Sequence, residues 1–251
     1  MSAREKPMIN SGIGDMLVTS RSFVEYVAMF AISDADLAGK ILDCPAGAAS
    51  FSAVARERGT AVTACDVAYD DMAGTVANAR AEAVRGNEYV RAHPEQFAGQ
   101  FFTDADHHLS HRLEASDDFV RDVAENPDSY VVAALPDLPF GDCSFDLVLS
   151  SHLLFTYGDR FDQATHLQFL RELLRVARKE LRIFPLVSHV THQRYEHLDA
   201  LRRALHADGV ETEIVAVDYD FERDAHEMLV CIRRSVISDL PSGTSCREVT
   251  G

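Results

Sequence analysis

The chain has no tryptophan and only five cysteines in 251 residues, none of them in a CxxC pair. Cys44, Cys65, Cys143, Cys231 and Cys246 are odd in number and scattered. That pattern argues against a disulfide framework or a cysteine-rich zinc module and suits a reducing, cytoplasmic setting. No apolar run approaches the roughly 18 residues of a membrane span. The opening MSAREKPMINSGIGD lacks the apolar segment of a secretory signal. Positive charge is also scarce: 24 Lys+Arg against 40 Asp+Glu leave a net charge of −16. Such a surface repels nucleic-acid phosphates and anionic lipid, so neither is an expected partner. The local cluster Arg171, Arg175, Arg178 and Arg182 reads as the solvent edge of an element rather than a binding site. Two phosphate-binding signatures are missing as well. No G-x-G-x-x-G marks a dinucleotide site, and no GKS or GKT marks a P-loop.

What remains is rich in alternating elements. A hydrophobic fraction of 47% supplies a sizeable core, and the length suits one α/β domain with an insertion. Ser22 is placed to cap a helix carrying Phe23, Tyr26, Val27 and Phe30 at helical spacing. KILDC (40–44) predicts a buried strand, 46–58 a helix stopped by Gly59, AVTAC (61–65) a second strand, and 71–85 a helix. Residues 130–134 predict a weak third strand and FDLVLS (145–150) a strong fourth. A helix near 160–178 carries Leu167, Leu170, Leu174 and Ala177 on one stripe. ELRIFPLV (180–187) predicts a fifth strand and 194–207 a further helix. Two closing strands, 213–218 and 228–233, are near enough in sequence to pair antiparallel. Residues 86–130 lack strand signals and read as a helical insertion or lid within a single 1–251 domain. The first twenty residues, polar with Gly12 and Gly14, are expected to be mobile or a lid, and the tail from 238 to be disordered. The fold class expected is α/β: a doubly wound, mostly parallel seven-stranded sheet, helices on both faces, the last strand antiparallel.

Ligands of such sheets bind at the carboxyl ends of the strands, where the winding direction switches. After the first strand stands Asp43-Cys44-Pro45-Ala46-Gly47-Ala48-Ala49-Ser50. An acid ends the strand, and small residues let a ligand approach the backbone at a helix N-terminus. After the second strand stands Asp66, able to accept hydrogen bonds from both hydroxyls of a ribose, followed by Val67 and Tyr69, flat or apolar enough to lie against a purine.

ILDCPAGAASF, VTACD, LPFGDCSFDLVLSSHLLF and LLRVARKELRIFPLV together resemble the class I S-adenosylmethionine-dependent methyltransferases of bacterial, small-molecule type, over residues 22–80 and 130–234. That family usually reads Asp/Glu-x-Gly-x-Gly-x-Gly at the first turn, an acid after strand two, and LPF-x-x-x-x-FD into strand four. The resemblance implies S-adenosylmethionine as cofactor and no metal. It sets Asp43, Ala46 and Gly47 by the methionine moiety, Asp66 on the ribose and Val67 beside the adenine, with Tyr26 and Pro45 also among the expected cofactor-binding residues. It further sets Asp137 and Leu138 near the adenine, and Ser150 and Ser151 toward the sulfonium and acceptor. Two departures stand out: Pro45 replaces the first glycine, fixing φ and removing an N–H, and Ala49 replaces the third.

Methyl transfer is an in-line displacement that needs alignment and, for a hydroxyl or ammonium acceptor, removal of a proton. His152 is the first candidate for that proton, since an unperturbed imidazole titrates near 6.5; Tyr157 is the second, as an orienting group. Asp159, Arg160 and His166 follow nearby. In the insertion, Tyr89, Phe97, Phe101, Phe102 and Phe119 are candidates for an apolar pocket, with Arg91, His93 and Arg112 as polar fixtures. His107 and His111 have i, i+4 metal-ligand spacing but no third ligand of clear spacing. The expected function is methyl transfer to oxygen or nitrogen of a small molecule, in specialised metabolism. The altered first turn also admits a non-methylating displacement such as ring closure, and a third class is a scaffold subunit. A homodimer or a heteromeric partner is compatible with the sequence.

Overall fold

The computed structural model describes residues 17–97 and 99–233. The expectations for the first sixteen residues and for the tail from 238 lie outside the described residues.

Local chemistry sets the helix starts. Helix α1 (Phe23–Phe30) begins at a reciprocal cap, in which the Ser22 hydroxyl takes the Glu25 N–H while the Glu25 carboxylate takes the Ser22 N–H. The same device at Ser33 and Asp36 starts the short α2 (Asp34–Leu37), which helical periodicity alone did not announce. Helix α3 (Phe51–Glu57) begins five residues later than 46, because residues 45–50 are held as a turn with Gly47 at φ +57°. The helix after strand two is longer than expected: α4 runs Met72–Ala92, capped by the Asp71 side chain on the Gly74 N–H. Helix α5 (Ala105–Glu125), capped by Asp104, packs along α4 and forms the rest of the insertion. Helices α6 (Gln163–Val176) and α7 (Leu198–Ala207) complete the set.

The strands are β1 (Lys40–Asp43), β2 (Ala61–Asp66), β3 (Tyr130–Val132), β4 (Phe145–Ser151), β5 (Ala177–Phe184), β6 (Val210–Ala216) and β7 (Glu227–Arg233). They form one sheet in the order β3-β2-β1-β4-β5-β7-β6. Pairs from β3 to β5 are parallel, and β7 runs against both β5 and β6. The doubly wound, seven-stranded expectation is thus met, including the reversed final strand. The winding direction switches between β1 and β4, and the carboxyl ends of both open into the cleft described below.

Two large apolar clusters cover the sheet. One joins α6 and α7 to β4 and β5 through Leu170, Leu173, Leu174, Leu181 and Leu201. The other joins α1 and α3 to the opposite face and receives Phe102 and Phe221. At full burial each such side chain contributes about 1.5–3 kcal/mol. Phe119 packs instead with Tyr69 and Tyr130, under the β2–β3 edge.

The arginine cluster near α6 is structural. Arg171 pairs with Asp208, Arg175 with Glu172 and Asp142, Arg178 with Asp146, and Arg182 with Asp36 and Glu180. Cys44, Cys65 and Cys231 are free and buried. No described helix is long and apolar enough to cross a membrane.

Candidate active site

A cleft of about 510 Å³ opens at the carboxyl ends of β1, β2 and β4. Its volume lies in the range usual for small-molecule sites, roughly 300–1,000 Å³. Cys44, Pro45, Ala46 and Gly47 line one part, and Cys65, Asp66, Val67 and Ala68 another. The Cys44–Pro45 peptide is cis. The turn is fixed by the Ala46 N–H donating to the Cys65 carbonyl at 3.0 Å, and by Gly47, whose N–H donates to Asp66 Oδ2 at 2.8 Å. Only glycine suits that position: φ is +57°, and a Cβ would meet the Thr19 carbonyl oxygen at 3.0 Å. Residues 17–21 lie across this turn, with Ala48 and Ser50 donating to the carbonyls of Thr19 and Arg21.

Asp66 also accepts from the Ala68 N–H at 2.9 Å through Oδ1. Burial raises its pKa, against the backbone hydrogen bonds that lower it. Each carboxylate oxygen spends one lone pair on the backbone and keeps one for a ligand hydroxyl. Val67 is 62% exposed, an apolar side chain left open along the cleft beside Asp66. A small-residue turn, an acid with acceptor capacity and an open apolar side chain fit a ribose and its base.

The predicted residues are not all brought together. Tyr26, Pro45, Ala46, Gly47, Asp66, Val67, Ser151, His152 and Tyr157 line the cleft. Asp43, Asp137, Leu138 and Ser150 are absent from its wall. Asp43 is fully buried, and its Oδ1 accepts from the Tyr26 hydroxyl at 3.2 Å, so it fastens α1 to the end of β1. Burial holds its carboxyl well above the usual range. Asp137 is exposed, and Leu138 is in the core with its N–H on Glu172. The edge past β3 that does line the cleft is Ala133–Leu135, three residues earlier in the chain.

His152 stands at the end of β4 with φ +51°, held there by its N–H on the Phe184 carbonyl at 2.7 Å. Its Nδ1 is 2.8 Å from Ser151 Oγ. Burial, then the charges of Arg21 and Arg112, push its pKa well below the ordinary value, so the ring is neutral. Tyr157 packs its edge on His189 and carries the Arg160 guanidinium over its face. His166 is set in the core, stacked on Tyr195.

The insertion supplies part of the wall. Tyr89, Phe97, His108 and Arg112 reach the cleft, whereas Phe101 and Phe102 pack against Tyr219 and Phe221, Arg91 binds Asn87 and Asp106, and His93 stacks on Tyr89. His107 and His111 approach at 3.0 Å between Nε2 atoms, and no group of three metal-ligating side chains stands among the described residues. Arg21, Thr156, His189, His192 and Glu222 also line the cleft, none of them singled out by sequence pattern. They come from four separate stretches of chain, and no local spacing links them.

The family model described as "Methyltransferase domain" matches residues 104–185, from α5 through β5. An uncharacterised protein of Methanocaldococcus jannaschii, MJ0045, is 26% identical over 225 residues, covering 88% of this chain and 97% of that protein. Among solved structures, magnesium protoporphyrin IX methyltransferase from Synechocystis PCC 6803 with bound SAH aligns at 14% identity and TM-score 0.45, over 84% of this chain and 80% of that one. The Burkholderia thailandensis 1,6-didemethyltoxoflavin-N1-methyltransferase aligns at 16% identity and TM-score 0.47, over 84% and 78%. Residues 104–185 thus match a methyltransferase domain, in a chain whose strand order and strand-end cleft are those of a doubly wound, ligand-binding sheet.

Proposed function

We propose that the protein transfers a methyl group to an oxygen or nitrogen atom of a small-molecule acceptor, in the cytoplasm and as a step of specialised metabolism. The observation that carries this reading is the composition of the single cleft wall. The small-residue turn and Asp66 stand on one side, and a neutral imidazole, His152, stands on the other within the same 510 Å³.

S-adenosylmethionine, when bound, would supply an electrophilic methyl on a sulfonium whose leaving group is a neutral thioether. The chain's residues provide the rest. Asp66 is the acceptor for the ribose hydroxyls, and Gly47 and Ala46 let the aminoacyl portion lie close to the backbone. Val67 and Ala133–Leu135 are the apolar surfaces for the base. His152 removes the acceptor's proton as the new bond forms, through the ring nitrogen not engaged with Ser151. Tyr157 orients the acceptor from the same strand end. Volume favours a small acceptor: a cleft of about 510 Å³, with the insertion residues Tyr89, Phe97 and Arg112 in its wall, would have to hold cofactor and acceptor together.

Calorimetry with S-adenosylmethionine and S-adenosylhomocysteine tests the first half; absence of binding by either overturns it and leaves a scaffold role. Turnover with a candidate acceptor tests the second half. Release of S-adenosylhomocysteine with an equal amount of methylated product is expected. Consumption of an acceptor without methylation would point to the non-methylating displacement instead.

A further inference from the structure

The cleft wall holds a guanidinium that forms no ion pair with any described carboxylate. Arg112 is matched: its Nη1 lies 2.5 Å from Glu25 Oε2, and Glu25 is further held by Ser22 and by the Tyr219 hydroxyl at 2.8 Å. Arg21 is not matched. Its Nη1 donates to Thr19 Oγ1, and among the described residues no carboxylate oxygen comes within 4.0 Å of its guanidinium. Its Nε is buried with no hydrogen-bond partner, although the residue lines the cleft. A guanidinium cannot relieve this by losing its proton. A buried, unpaired charge is costly to hold unless a ligand completes it.

Four further buried polar atoms in the same wall lack hydrogen-bond partners: Ser20 Oγ, Thr156 Oγ1, His189 Nε2 and His192 Nδ1, the last 3.6 Å from Glu222 Oε1. The surfaces beside them are apolar, among them Val90, Phe97, Phe161 and Phe169. The carboxylates that share the wall do not reach it: Asp66 is held by the Gly47 and Ala68 N–H groups, Glu222 lies 3.6 Å from His192, and Glu82 pairs with Arg85. A ligand carboxylate is therefore the group that would complete the Arg21 guanidinium.

We propose that Arg21 anchors a carboxylate carried by the methyl acceptor, so that the substrate class is a small, largely apolar organic acid. This rests on the reading that the cleft binds S-adenosylmethionine. The anchor also bears on the chemistry. Burial is the main cause that depresses the basicity of His152, and Arg21 adds to it, so a carboxylate seated on Arg21 would ease part of that depression.

The test is calorimetry on the full chain saturated with S-adenosylhomocysteine, using benzoate, phenylacetate and hexanoate, each against its own amide. At least one acid is expected to bind tenfold or more tighter than its amide. R21Q is expected to abolish that preference and R21K to keep part of it, with affinity for S-adenosylhomocysteine within about threefold of wild type in both. Acids binding no better than amides would overturn the proposal, as would an unchanged preference in R21Q and R21K. It is also overturned if R21Q weakens S-adenosylhomocysteine tenfold but leaves 5′-methylthioadenosine, which lacks the aminoacyl end, unaffected; Arg21 would then hold the cofactor's own carboxylate. Should wild type bind no S-adenosylhomocysteine, the cofactor reading fails separately, and the acid-against-amide titrations on the free protein still report on Arg21. If R21Q does not fold, the wild-type preference and R21K decide the matter.

Discussion

Gly47 and Asp66 are joined by a hydrogen bond of 2.8 Å, from the glycine N–H to Oδ2 of the carboxylate. The bond ties the turn after β1 to the end of β2, and the Ala68 N–H anchors the other oxygen at 2.9 Å. One side chain thereby fixes the shape of two strand ends at once. The carboxylate is also the acceptor most favourably placed for a pair of vicinal hydroxyls, since both its oxygens are oriented before a ligand arrives.

Asp66→Ala is therefore expected to weaken S-adenosylhomocysteine by about 2 kcal/mol or more, roughly thirtyfold, through loss of charge-assisted hydrogen bonds. Calorimetry reads the affinity, and a thermal melt shows whether the two strand ends still fold together. Unchanged affinity in a folded variant would remove Asp66 from the ribose contact.

Much of this was legible from residues alone, because it is local. Strands 40–43, 61–66 and 145–151 are buried apolar runs ended by an acid or a serine, and the Ser22–Glu25 pair is a helix start that side-chain chemistry dictates. Placement of the Gly47 turn followed from the small residues after Asp43. The rest depends on contacts between distant stretches. Asp43 read as a cofactor contact, yet the Tyr26 hydroxyl from α1 reaches its carboxyl and burial seals it from the cleft. Arg21 precedes a helix cap and carries no pattern of its own; its isolation in the cleft arises only when α5 brings Arg112 to claim Glu25. His189, His192 and Glu222 likewise converge from loops after β5 and β6, where spacing has no periodicity to read.

Stability should depend on pH through His108. Burial, reinforced by Arg112, Arg21, His111 and Arg91, lowers its pKa from 6.5 to about 2, and its Nε2 accepts from Arg112 Nε at 3.1 Å. The folded state keeps this ring neutral, whereas the unfolded chain protonates it below about 6.5. The unfolded state thus binds more protons in the acid range, so stability is full above 6.5 and is lost as pH falls from 6.5 toward 2. The limiting slope is about 1.4 kcal/mol per pH unit for one such group, or about 2 kcal/mol between pH 6.5 and 5. Denaturant midpoints at pH 7 and pH 5 should differ accordingly, and His108→Gln should flatten the difference. An equal slope in the variant would assign the pH dependence to other groups.

His152 provides the last expectation, because its neutrality and its role make opposite demands. An imidazole whose pKa lies well below 6.5 is wholly in the basic form at pH 7, yet it is a weak base. In the free protein its ¹⁵N resonances should not titrate between pH 6 and 8, and kcat/KM should show no acid limb near 6.5 from this group. Seating an anion beside Arg21 cancels one of the two depressing charges, so in the ternary complex the resonances should begin to titrate at higher pH than in the free protein. His152→Ala should lower kcat about a hundredfold or more while leaving S-adenosylhomocysteine affinity within about threefold, the split expected of a group that moves a proton rather than one that holds the cofactor. A variant with wild-type kcat would show that the acceptor loses its proton to water or before binding, and His152 would then serve only to position Ser151 at the strand end.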